Sequence, residues 1–226
     1  MSENITISKT AFDFLQELEK NNNKEWFEKN KTIFKSHEVG VKAFFEAIKD
    51  KLNHHDEIEK MKMFRIYRDV RFSKDKTPYK THFAGSFSRL GAHLRGGYYL
   101  HLKPGGSFLA TGFWDPNKED LFRIRKELEM DASEFRKIID QKALKDIWGE
   151  LKGDTVKTAP KDFDKEHPNI DLIKHKQFIF VRELTDKEVL SHTFLNEVDK
   201  SYRAIRPFFD LMSDVLTTNL NGESIL

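Results

Sequence analysis

GGYYLHLKPGGSFLATGFW, residues 96–114, is the stretch on which the fold turns. Two runs rich in Tyr, Phe and Leu, Gly97 to Lys103 and Ser107 to Trp114, flank Pro104, Gly105 and Gly106. The flanks read as strands and the centre as a tight hairpin turn. Upstream, His82 to Leu90 is a further strand-like run. From Met63 the pattern alternates, with Phe64, Ile66, Arg68, Val70 and Phe72 on one side and Arg65, Tyr67, Asp69 and Arg71 on the other. Period two over this length predicts a strand with two unlike faces. The four runs together predict an antiparallel β-meander.

Helical periodicity brackets the meander. Phe12, Leu15 and Leu18 share one helical face, and Trp26, Phe27, Phe34, Val41, Phe44, Phe45, Ile48 and Leu52 share another. Asn22 with Glu25 predicts the cap of the second helix, and a charged stretch, Asn53 to Lys62, ends it. After the meander, Asp115 and Pro116 predict a helix start ahead of Leu121, Ile124 and Leu128, and Asp131 with Glu134 predicts another. Lys152 to Lys176, with Pro160 and Pro168, reads as a long loop before a short strand through Phe178 to Val181. Phe194, Val198, Tyr202, Ile205, Phe209, Met212 and Leu216 form one amphipathic stripe that Pro207 should kink or divide. The expected fold class is therefore α+β, a single domain over 1–226 with one antiparallel sheet packed by N-terminal and C-terminal helices.

Composition narrows the function classes. A net charge of +2 over 226 residues supplies no global field toward nucleic acid or an anionic membrane, so any anion binding has to be local. There are no cysteines, which removes thiolate metal sites and cysteine nucleophiles and fits a reducing compartment. The sequence begins without a signal-peptide pattern and contains no apolar run of the roughly 18 residues that span a bilayer. A cytoplasmic protein with no membrane partner is the expectation; nothing in the pattern sets an oligomeric state.

Local charge concentrates between Arg65 and His82. Arg65, Arg68, Arg71, Lys74, Lys76 and Lys80 stand against Asp69 and Asp75, a net +4 over eighteen residues. Strand alternation turns Arg68 toward the apolar face, so Arg68 is read as structural, buried against a carboxylate that the sequence does not identify; Asp69 and Asp75, which can pair with the arginines of the segment, are read as structural too. Arg65 and Arg71 on the opposite face, joined by Lys74, Lys76, Tyr79 and Lys80, are read as ligands for a phosphate or carboxylate, because a planar guanidinium matches such groups. SKDKTP, residues 73–78, predicts a rigid turn. His82, opening the next strand, and His101, on the third, are the candidate proton-transfer groups. An anionic small molecule is the expected partner. The alternative is a nucleic-acid or acidic-protein module using the same cations, with Phe83, Phe87, Tyr98, Tyr99 and Phe108 as stacking rings; a purely structural motif is the third reading. Lys174, His175 and Lys176 form a smaller basic cluster.

Other chemistry is excluded by spacing. Gly91, Gly96 and Gly97 are followed by Tyr98 where a phosphate loop needs Lys-Ser or Lys-Thr. His54, His55 and Asp56 are adjacent and cannot converge on one metal from a helix. Neither a zinc-protease pattern nor a nucleophile elbow is present, and no metal is expected.

FRIYRDVRFSKDKTPYKTHF, residues 64–83, with NNNKEWF before it and the 96–114 stretch and PKDFDKEHPNIDLIKHKQF after it, resembles the bacterial and fungal family called domain of unknown function 2461. The resemblance runs from about Phe12 to Phe209. It implies family motif positions at Arg65, Tyr67, Arg68, Asp69, Arg71, Phe72, Ser73, Lys74, Asp75, Lys76, Pro78, Tyr79, Lys80 and His82, and at Tyr99, Pro104 and Gly112. It implies no reaction, substrate or cofactor. A glycine is usual where this chain has Asp162, whose carboxylate opposes anion binding by that loop.

Overall fold

Ser8 accepts a hydrogen bond from the Ala11 N–H at 3.2 Å and starts α1 (Lys9–Lys20). Asn23 accepts from the Trp26 N–H at 3.0 Å and starts α2 (Lys24–Leu52). The expected cap, Asn22, stands one residue too early, and its side chain bonds elsewhere. This computed structural model describes residues 5–226. It is α+β, with strands β1 (Ile58–Met63), β2 (Phe83–Arg89), β3 (Gly97–Leu102), β4 (Ser107–Phe113) and β5 (Phe178–Leu184) in the sheet order β1-β2-β3-β4-β5. The sheet is antiparallel, as the meander pattern predicts.

The later helices are α3 (Lys118–Met130), α4 (Ser133–Ile139), α5 (Lys142–Trp148), α6 (Ile170–Ile173), α7 (Asp186–Val189), α8 (Phe194–Ala204) and α9 (Arg206–Thr217). Asn117, not Asp115, caps α3, accepting from the Asp120 N–H at 2.8 Å. Pro207 divides the C-terminal stripe as expected: it lies in the first turn of α9, where a missing N–H costs nothing. No helix among the described residues is long and apolar enough to cross a membrane.

One expected strand is displaced. Regular pairing ends at Met63, and β1 occupies Ile58–Met63, inside the stretch read as merely charged. Only Ile58 of IEKMKM is buried, because β1 is an edge strand and its charged residues face solvent. An edge strand with one buried residue leaves no alternation to detect. Residues 64–82 follow it as an irregular segment.

The chain groups into two compact units. The first contains the described residues up to Phe87, with Tyr99–Leu109 and Glu183–Lys200. Its core pairs helix rings with strand rings: Phe34 stacks on Phe83 at 5.8 Å, Phe45 on Phe87 at 5.8 Å, and Phe44 on Phe194 at 5.3 Å. The second contains Ser88–Tyr98, Ala110–Arg182 and Ser201–Leu226. Its core joins Phe180 to Phe208 at 5.3 Å and Tyr98 to Phe209 at 5.1 Å, both edge to face. Arg89 is buried in this unit, donating to the Arg95 carbonyl at 2.7 Å and lying 5.0 Å from the Phe209 ring. A buried guanidinium held this way is paired and stacked at once.

Gly112 in β4 has φ +118, and a Cβ there would stand 2.2 Å from the Phe178 carbonyl oxygen and 2.9 Å from Ile179 Cα. The β4–β5 approach is therefore set by the missing side chain. Gly112→Ala should destabilise the protein by about 2–4 kcal/mol, combining left-handed strain with a backbone clash; a urea-unfolding midpoint equal to that of the parent protein would contradict this.

Candidate functional site

The segment from Phe64 to His82 folds back on itself. Tyr67 and Tyr79 form an antiparallel bridge, the Arg68 N–H donates to the Pro78 carbonyl at 2.9 Å, and the Lys80 N–H donates to the Ile66 carbonyl at 2.7 Å. Ile66 and Tyr79 are the buried anchors, and the Tyr79 ring stacks on Phe27 of α2 at 4.0 Å. Asn22 clamps the same residue: its amide donates to the Tyr79 carbonyl at 2.9 Å and its oxygen accepts the Tyr79 N–H at 3.1 Å. The segment is a pinned loop, where the alternation predicts a strand.

Local side-chain bonds explain the difference. Asp69 accepts from the Arg71 N–H at 3.2 Å, and Asp75 accepts from the Thr77 N–H at 2.9 Å. Such bonds to backbone two residues on compete with a sheet ladder. Alternation survives only as far as Ile66, buried between exposed Arg65 and Tyr67. Phe72, grouped with the apolar face in the sequence, is 96% exposed at the loop tip.

The six cations separate into distinct groups. Arg68, half-buried, donates to Asp75 and to the Thr77 hydroxyl and ties the loop together. Those bonds hold the Asp75 carboxyl at about 2, the Thr77 N–H being the largest cause, followed by Arg68 and the Thr77 hydroxyl. Arg71 turns back on Asp69 with contacts of 3.0 and 2.7 Å, which engages its guanidinium within the loop. Lys76 donates to the Val70 carbonyl at 2.9 Å, and Lys74 stands exposed at the tip. Tyr79, placed among the ligand-binding residues by sequence, has its ring in the core.

Arg65 and Lys80 remain. Neither has an ion-pair partner among the described residues. Arg65 feels the charge of Asp69, whose oxygens are engaged by Arg71. Lys80 is half-buried, and its pKa is lowered by that burial and then by the charge of Arg65. Asp69 thus lies within electrostatic reach of Arg65, while Lys80 has no carboxylate partner among the described residues.

Lys80 leads into the histidines. His82 and His101 lie with ring centroids 4.1 Å apart, His101 stacks on Phe108 at 4.7 Å, and the Tyr99 hydroxyl is 3.2 Å from His101 Nδ1. Burial pushes both imidazoles down to about 4; His101, Lys80 and Lys103 reinforce this at His82, and Lys103 at His101. The sequence reading names both histidines but misses Lys103, two residues from His101 at the end of β3. Period two along β3 was the signal available for it. Of the five rings considered for base stacking, Phe83, Phe87 and Tyr98 are core residues, while Tyr99 and Phe108 are half-buried on the histidines' side.

Lys174, His175 and Lys176 belong to the second unit. His175 Nδ1 lies 3.1 Å from the Gln177 carbonyl, and Lys176 pairs with Asp154 at 3.6 Å. No group of three or more His, Asp or Glu side chains among the described residues is placed to hold a metal ion.

A family model described as conserved hypothetical protein (DUF2461) matches residues 10–211. The chain belongs to DUF2461. No curated protein and no solved structure matches it. Asp162, where the resemblance to DUF2461 implies glycine, has φ 70 and is the sole non-glycine residue of positive φ among the described residues. Backbone conformation accounts for a glycine at that position without any anion.

In an unfolded DUF2461 chain the two imidazoles titrate near 6.5. Because the folded values are depressed, the unfolded state binds more protons between that pH and about 4, and stability falls as pH falls through the window. The urea midpoint should drop between about pH 7 and pH 4.5, and His82→Gln with His101→Gln should flatten the drop. An unchanged pH profile in the double variant would exclude the pair as its source.

Proposed function

We propose that the protein binds an anionic small molecule, carrying a phosphate or carboxylate, on Arg65 and Lys80 beside the His82–His101 pair. The observation that carries this reading is half-buried Lys80, which has no ion-pair partner among the described residues and feels the like charge of exposed Arg65. Adjacent cations in a partly desolvated site repel each other, and an anion that accepts from both removes the repulsion. Charge-assisted hydrogen bonds of this kind contribute about 1.5–3 kcal/mol each. Arg68, Arg71 and Lys76 are already engaged within the loop, and their charges hold its shape.

Binding is better supported than acid–base catalysis. An imidazole at about 4 is almost wholly neutral near pH 7 and is a weak base there. Neutral imidazoles still donate through one nitrogen and accept through the other, which suits them to orient a ligand.

Thermal shift against phosphate, phosphorylated metabolites and organic acids tests the reading. A ligand at tenfold excess over its Kd should raise the Tm by about 3–5 °C. Arg65→Gln and Lys80→Gln should abolish the shift, whereas Arg71→Gln and Lys76→Gln should retain it. If no anion stabilises the protein, or if the two pairs of variants behave alike, the site is not where the ligand binds.

A further inference from the structure

The cations border an aromatic surface that a simple anion would leave unused. Phe64, following β1, lies 6.3 Å from Tyr99 on β3; Tyr99 lies 5.7 Å from Phe108 on β4; Phe108 stacks on His101 at 4.7 Å and 13°; and His101 meets His82 at 4.1 Å. All five rings are half-buried. They are distinct from the core set of the same strands, where Phe83, Leu100, Leu102 and Leu109 are buried. Lys62 and Lys80 stand 5.4 and 5.7 Å from the Phe64 ring centroid, and Lys103, paired with Glu19 at 3.1 Å, stands at the other end beside the histidines.

A polar sheet face has no need of five rings. Half-exposed Phe and Tyr lose hydrophobic stabilisation unless something covers them. Aromatic rings on a sheet face, flanked by cations, fit a ligand with a planar ring and an anionic group, because base–aromatic stacking and phosphate pairing act together. A sugar phosphate or a dicarboxylate would use Arg65 and Lys80 but gain nothing from Tyr99 and Phe108.

We infer that the ligand is a nucleoside phosphate, its phosphate on Arg65 and Lys80 and its base against the Tyr99 and Phe108 rings. This rests on the anion-binding reading above and adds the base to it. The Tyr99 hydroxyl lies 3.2 Å from His101 Nδ1, which leaves His101 Nε2 and the His82 nitrogens, with that hydroxyl, as polar groups of the ring array that can address the edges of a base.

Calorimetric titration with inorganic phosphate, ribose phosphate, adenosine monophosphate and a short single-stranded oligonucleotide tests the inference. Adenosine monophosphate should bind at least about tenfold more tightly than ribose phosphate, as expected of one stacked base. Phe108→Leu, which keeps apolar volume but removes the π-face, should erase that advantage while leaving ribose phosphate affinity unchanged. Tyr99→Leu provides the same readout from the neighbouring strand should the first variant fail to fold. Equal affinity for the nucleotide and ribose phosphate would overturn the nucleoside assignment and leave the anion site standing. Loss of every titration signal would overturn both. Oligonucleotide binding that far exceeds mononucleotide binding and falls steeply with salt would replace the small molecule with a nucleic-acid strand.

Discussion

Tyr79 is held from two sides, its ring 4.0 Å from Phe27 and its backbone N–H and C=O both bonded to the side chain of Asn22. The amide reaches across 57 residues of sequence to satisfy two backbone groups that no strand partner serves. Fixing each backbone residue costs about 1–2 kcal/mol in conformational entropy, so a segment as long as 64–82 stays ordered only when such anchors recover that cost. With Tyr79 fixed, the Lys80 N–H meets the Ile66 carbonyl, and Lys80 is delivered beside Arg65 and ahead of His82. The candidate site depends on a tyrosine that takes no part in it.

The tip beyond that anchor obeys a different balance. Arg68, Asp75 and Thr77 form one knot, Arg71 and Asp69 another, and Lys76 closes on the Val70 carbonyl. Exposed ion pairs contribute only about 0–1 kcal/mol each. What they do is specify one loop shape among many of similar energy, with Phe72 left in solvent at 96% exposure. Charge density alone does not separate the six cations of this segment; partner geometry leaves Arg65 and Lys80 without ion pairs among the described residues, with Lys80 acting on His82.

Much of the fold was legible because its signals are local. Pro104, Gly105 and Gly106 mark the β3–β4 hairpin, and the strands on either side match the structure to within a residue. The C-terminal stripe and its break at Pro207 follow from periodicity and from proline's missing N–H. What failed to read was non-local or unpatterned. β1 buries one residue, so no alternation betrays it. Asn22 looks like a helix cap because caps and long-range amide clamps use the same side chain. Phe64 to Phe72 carries a strand-like alternation that Asp69 and Asp75 override through bonds to their own backbone. At the site, sequence could nominate His82, His101, Arg65 and Lys80 by type, but the meeting of the two histidines depends on the register in which β2 pairs with β3, which residue type does not set.

The sheet explains why these groups can converge without weakening the core. Along β3, Tyr98, Leu100 and Leu102 are buried while Gly97, Tyr99 and His101 are half-buried, and Phe108 on β4 falls on the partly exposed side with them. Period two thus divides one short strand into a structural set and a chemical set with no residue shared between them. The two histidines illustrate the consequence. They are desolvated enough to stay neutral to about 4, yet they remain partly open to solvent. In the full core such imidazoles would serve packing alone, and on an open surface they would titrate near their ordinary value and carry charge into surroundings that already hold Lys80 and Lys103. The half-buried face is the setting in which neutral imidazoles, a half-buried lysine and aromatic rings can stand side by side.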